Sequence, residues 1–203
     1  MKIRFWFFHG LCLLLVAGVS CSSPSHMTIY QTEGEWVALR EWPSGYPWLT
    51  NLSHPADFDT AQLRQLLQTI RYQQSLLFSF HMGNPHPAFS EYQLTLLASE
   101  LSKAFEQALP EEVIAFKVRN KREGHLSTKG FCFIHEHALH LVIQEFHQPD
   151  FASPATQTGP PTVRWAFALQ EGQRVFVSPT GSTHDFPHWL IIPIVQRSSH
   201  VLR

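Results

Sequence analysis

Histidine occupies 13 of the 203 positions, and two groups of these residues are spaced closely enough to share an ion. His135, His137 and His140 form one group, and His184 and Asp185 with His188 form the other. Imidazole and carboxylate groups are suitable Zn²⁺ ligands when three of them converge. In the first group, His135 and His137 would share a strand face but stand where a hairpin turn is expected. His140 would point to solvent, opposite Leu139 and Leu141. In the second group a loop could gather His184, Asp185 and His188, so these three are the candidate metal ligands, although Phe186-Pro187 between them also suits an ordinary turn. Thr180-Gly181-Ser182 beside His184 could be read as a nucleophile and its base, but these residue types more often make a flexible turn. Gly-x-Ser-x-Gly, His-Glu-x-x-His and a glycine-rich phosphate loop are all missing. The sequence therefore nominates no catalytic residue, and no cofactor is expected.

The chain has three cysteines. Cys132, within Gly130-Phe131-Cys132-Phe133-Ile134, reads as a small buried apolar residue on a strand. Cys12 lies in the apolar run 5–19, which follows the basic start Met1-Lys2-Ile3-Arg4. A transmembrane helix needs roughly 18 to 25 apolar residues; this run is broken by His9 and closes on Gly18-Val19-Ser20-Cys21, so cleavage is the better reading. If Cys12 leaves with the cleaved run and Cys21 carries a lipid, as the resemblance described next implies, Cys132 has no intramolecular partner and a disulfide framework is excluded.

The segment Gly18-Val19-Ser20-Cys21 resembles the lipobox of bacterial lipoproteins, with Gly18 standing where an aliphatic residue is usual. The resemblance implies that the Cys21 thiol is diacylglyceryl-modified, that residues 1–20 are removed, and that the new amino terminus is acylated. It further implies a bacterial cell-envelope protein, and Ser22 after the cysteine resembles the signal for export to an outer membrane, facing the periplasm. Each buried methylene of such an anchor contributes ~0.8 kcal/mol, so two or more chains hold firmly. The implied partners are the membrane, through the acylated amino terminus, and an envelope protein. The domain reading is a signal peptide over residues 1–20, a lipidated tether over 21–35 beginning Ser22-Ser23-Pro24-Ser25, and one folded domain over 36–203.

Loss of Lys2 and Arg4, with no acid lost, would shift the formal charge from −1 to −3. That weak negative charge gives no general attraction to nucleic acid. The one basic patch, Lys117, Arg119, Lys121 and Arg122, reads as a solvated strand end and turn. Glu111 and Glu112 read as exposed acids at a helix exit. Trp36, Trp42, Tyr46 and Trp48 cluster around a loop, which is either a recognition patch for a glycan or protein or a segment folded back over the core.

The elements that must position these residues follow from periodicity. Residues 28–30 and 36–42 could be strands, and the Pro-, Gly- and Asn-rich stretch 43–55 is a loop. Asp59 opens a helix over about residues 60–73, with Leu63, Leu66, Leu67 and Ile70 on one face. Ser90-Glu91-Tyr92-Gln93 is a capping box, and Leu94, Leu97, Ala98, Leu101, Phe105 and Ala108 make an apolar stripe behind it, ending at Pro110. Beyond Val113 the period becomes two. Residues 131–134 and 139–146 suit a hairpin, and 162–169 alternate most clearly. Residues 174–178 are expected to pair with that strand, and 189–195 form a last strand that Pro193 pushes towards an edge or bulge.

Helices first and strands later, with hairpin-length connections, give an α+β fold: an antiparallel sheet with two amphipathic helices packed on one face. Residues 54–146, with two capped helices and then a hairpin, loosely resemble a pattern found in envelope lipoproteins of unassigned function. The expected role is non-catalytic interaction or assembly; the alternative is a periplasmic metal-binding protein or metal-dependent hydrolase.

Overall fold

The computed structural model describes residues 27–76, 82–121, 126–149, 163–178 and 186–194. Within them the chain forms β1 (Thr28–Thr32), β2 (Glu35–Glu41), α1 (Thr60–Gln68), β3 (Arg71–Leu76), β4 (His86–Pro87) and α2 (Glu91–Gln107). The second half is β5 (Glu112–Arg119), β6 (Leu126–His135), β7 (Ala138–Pro149), β8 (Val163–Phe167), β9 (Arg174–Val175) and β10 (Trp189–Pro193). The fold is α+β and its strand pairing is antiparallel throughout.

The strands form two sheets rather than the single sheet expected. Seven lie in the order β1-β2-β5-β6-β7-β10-β9, and three in the order β4-β3-β8. Local chemistry accounts for the joints. The β1–β2 hairpin turns at Gly34, whose φ of 80° is open to glycine, and a side chain there would collide with the Arg119 guanidinium. The β6–β7 hairpin closes through Glu136 and His137, both at positive φ (48° and 59°) as a two-residue type I′ turn requires. At Gly130 the ladder slips its register, and the Val142 carbonyl oxygen lies where a Cβ would stand.

Alternation along the central strands sorts their side chains into two apolar clusters. Ile114, Phe116, Cys132, Ile134, Leu139, Leu141 and Leu190 share one cluster with Leu63 and Leu67 of α1 and Leu97, Leu101 and Phe105 of α2. The intervening residues Val113, Phe131, Phe133, Val142, Trp189 and Ile191 join Trp42 and Leu52 in the other. A sheet covered on both faces has no solvent face along its middle strands. For that reason His140 of β7 is buried (4% exposed) instead of pointing to water as its alternation with Leu139 and Leu141 suggested.

Several expected boundaries move. The first helix ends at Gln68, capped by Thr69, and Arg71 already belongs to β3, which pairs with β4 and β8. β9 does not pair with β8: it pairs with β10, while β8 crosses to the smaller sheet. β10 lies between β7 and β9 rather than at an edge, with Pro193 as its last residue. Among the described residues, β1 lies inside the segment read as a tether over 21–35 and pairs with β2. Glu112 is buried, and its Oε2 accepts the Leu109 N–H at 2.8 Å, closing the turn after α2; of the acidic pair only Glu111 is exposed.

Candidate functional site

The residues with chemical potential lie in three places. In the first, the core, histidine serves as a neutral acceptor. His54 Nε2 accepts the Ile134 backbone N–H at 3.0 Å, and burial lowers its pKa to about 4. His140 Nδ1 accepts the Trp189 indole N–H at 3.1 Å, and its ring stacks on Phe133 with centroids 4.8 Å apart. Burial first, then the charges of His135 and Arg174, lowers the His140 pKa to about 3. His135 lies 5.7 Å from His140 ring to ring, but the Nδ1 lone pair of His140 is already engaged, and His137 stands exposed on the hairpin turn.

Of the second histidine group, His184 and Asp185 lie outside the described residues. His188 lies flat against Trp165 (3.9 Å between centroids, 11° between planes), and burial lowers its pKa from the usual imidazole value. Among the described residues no three His, Cys, Asp or Glu side chains converge to hold a metal ion. Thr180 to Ser182 and Cys21 likewise lie outside the described residues. Cys132 is fully buried, and burial holds its thiol far above the usual range, which leaves it protonated and unreactive.

The second place is the aromatic loop. Trp42 is buried against Phe133 at 5.0 Å, and Tyr46 lies edge-on to Phe131 at 5.0 Å, so both fold back over the sheet. Trp36 stays on β2 beneath the Arg40 guanidinium. Trp48 alone of the four is exposed, at 61%, leaning on Trp42.

The third is a cleft of about 1240 Å³ bordered by both sheets and the start of α2. One wall is a row of rings from three strands: Tyr72 of β3 meets Phe146 of β7 at 4.6 Å, and Phe146 meets Trp165 of β8 at 4.6 Å. His147, held at a φ of 51°, stacks on Phe146 at 4.1 Å. The opposite side is set by the α2 capping box, in which Ser90 Oγ accepts the Gln93 N–H and Gln93 Oε1 accepts the Ser90 N–H. Tyr92 from that turn donates its hydroxyl to Glu35 at 2.7 Å, and Lys121 Nζ sits 3.6 Å above its ring. Arg71 completes the lining at the start of β3.

The sequence named Gln93 as a capping residue and Lys121 as part of a basic patch, but it did not place either in a cleft. Tyr72, Phe146 and Trp165 lie 19 to 93 residues apart in sequence, and the crossing of β8 into the second sheet brings Trp165 to the strand that carries Tyr72. A second cleft, of about 980 Å³, lies between α1 and the β6–β7 turn, with Asp57, Asp59 and His137 on its rim. No protein-family model, curated protein or solved structure matches this chain.

Proposed function

We propose that the chain is a lipid-anchored cell-envelope protein whose folded body acts by binding, in an interaction or assembly role, and not by catalysis. One observation carries the anchor: an apolar run of signal-peptide length closing on Gly18-Val19-Ser20-Cys21. On this reading Cys21 bears the lipid, residues 1–20 are removed, and the body faces the periplasm from an outer membrane.

The binding role is supported by how the polar groups around the large cleft are used. Glu91 pairs with Arg64, Glu35 accepts from Tyr92 and from the Arg119 N–H, and Gln93 caps α2. These groups hold the walls in place, and a wall of fixed rings is a surface for recognition. The helices are part of the same reading. Both α1 and α2 cover one face of the larger sheet, supported by the cluster that Leu67 and Leu101 share with Leu39 and Ile114.

The test is metabolic labelling with a radioactive or clickable fatty acid. The wild-type chain should take up label and fractionate with membranes; Cys21→Ala should take up none and accumulate as uncleaved precursor or soluble protein. Equal labelling of the two would overturn the assignment.

A further inference from the structure

We infer that the cleft between the two sheets binds a small anionic ligand built on a flat ring, an inference that rests on the binding role proposed above. Three independent features point to this ligand. The first is size and shape. Ligand pockets commonly enclose roughly 300–1,000 Å³, and this cleft, at about 1240 Å³, has room for one ring system and its substituent.

The second feature is the ring wall. Tyr72, Phe146 and Trp165 stand at centroid spacings of 4.6 Å, with interplanar angles of 69° and 38°. Edges and tilted faces of this kind complement another ring in offset or T-shaped contact.

Charge is the third. The chain as a whole is close to neutral, with a formal charge of −1, and the cations lining this cleft, Arg71 and Lys121, have no carboxylate partner among the described residues; there Lys121 rests on the Tyr92 ring. The one carboxylate among the described residues of the lining, that of Glu91, is paired with Arg64. Gln93, 1% exposed on the same lining, spends its Oε1 on the helix cap and leaves its Nε2 donor without a partner. Two cations and a spare donor beside an aromatic wall match an acidic group, carboxylate or phosphate, attached to a ring.

The full chain, solubilised in a neutral detergent, would be titrated calorimetrically with 2-naphthoate, 2-naphthyl phosphate and the neutral 2-naphthol. Arg71→Gln combined with Lys121→Gln changes no core residue and so keeps the fold, which circular dichroism would verify. Both acids should bind with Kd at or below the order of 1 mM and 2-naphthol about tenfold more weakly. The double substitution should weaken both acids about tenfold and leave 2-naphthol unchanged. Equal binding of 2-naphthol and the acids, indifference to the double substitution, or no heat from either acid would each overturn the inference. Release of 2-naphthol from bound 2-naphthyl phosphate would keep the site and overturn the non-catalytic role. Absence of binding without turnover would remove the site and leave the lipid anchor and the interaction role standing.

Discussion

Burial keeps the His54 and His140 rings neutral in the folded protein at neutral pH, and each offers a ring-nitrogen lone pair to a buried N–H. Their pKa values fall from 6.5 to about 4 and about 3. The unfolded chain therefore takes up protons before the folded one does. The stability these residues confer is complete above about pH 6.5 and is lost as pH falls towards 4 for His54 and 3 for His140, at about 1.4 kcal/mol per pH unit for each. Urea unfolding midpoints should fall steeply between pH 7 and 5, and His54→Gln with His140→Gln should flatten that dependence; parallel curves for the two proteins would refute the assignment. Trp189, fully buried and stacked on Phe176 at 3.9 Å, should cost about 3–5 kcal/mol when replaced by Ala, measured by the same denaturation. The sequence did not reveal the burial of His140. Alternation with Leu139 and Leu141 shows which face a residue takes, but whether that face is dry depends on distant segments such as Trp42 and Tyr46 folding over it.

At the scale of elements, legibility followed how local the determining interaction is. The start of α2 was readable because Ser90 and Gln93 cap each other within one turn. Ser90→Ala should lower stability by about 1 kcal/mol, seen as a shift in the thermal midpoint. The β6–β7 hairpin was readable as a hairpin, but its turn type was not, since Glu136 and His137 are poor residues for positive φ. The paired substitutions Glu136→Asn and His137→Gly should raise stability by roughly 1 kcal/mol; a drop in the thermal midpoint would show that the native side chains contribute more than the backbone strain costs. The end of α1 was misread because Ile70 continues the apolar stripe of Leu63 and Leu67 while its backbone has already left the helix. The partner of β8 was not readable at all: its pairing with β3 joins Trp165 to Gln74, a contact that no local pattern encodes.

Across the whole molecule, the two-sheet arrangement turns an ordinary α+β body into one with a cleft where the sheets meet, walled by Tyr72, Phe146 and Trp165. The fold class was legible in the sequence because periodicity changes from helical to alternating near Val113. The cleft was not, because its lining is assembled from both halves of the chain. On the proposed reading, the acylated amino terminus holds this body beside a membrane, and β1, beginning at Thr28, joins the tether to the edge of the larger sheet. A lipid on Cys21 would be detected by mass spectrometry of the amino-terminal peptide of the protein extracted from its own membranes. Lipidation at Cys21 should yield a peptide that begins at Cys21, lacks residues 1–20 and carries a diacylglyceryl group on the thiol. A peptide that begins elsewhere, or one that carries Cys21 as a free thiol, would contradict it.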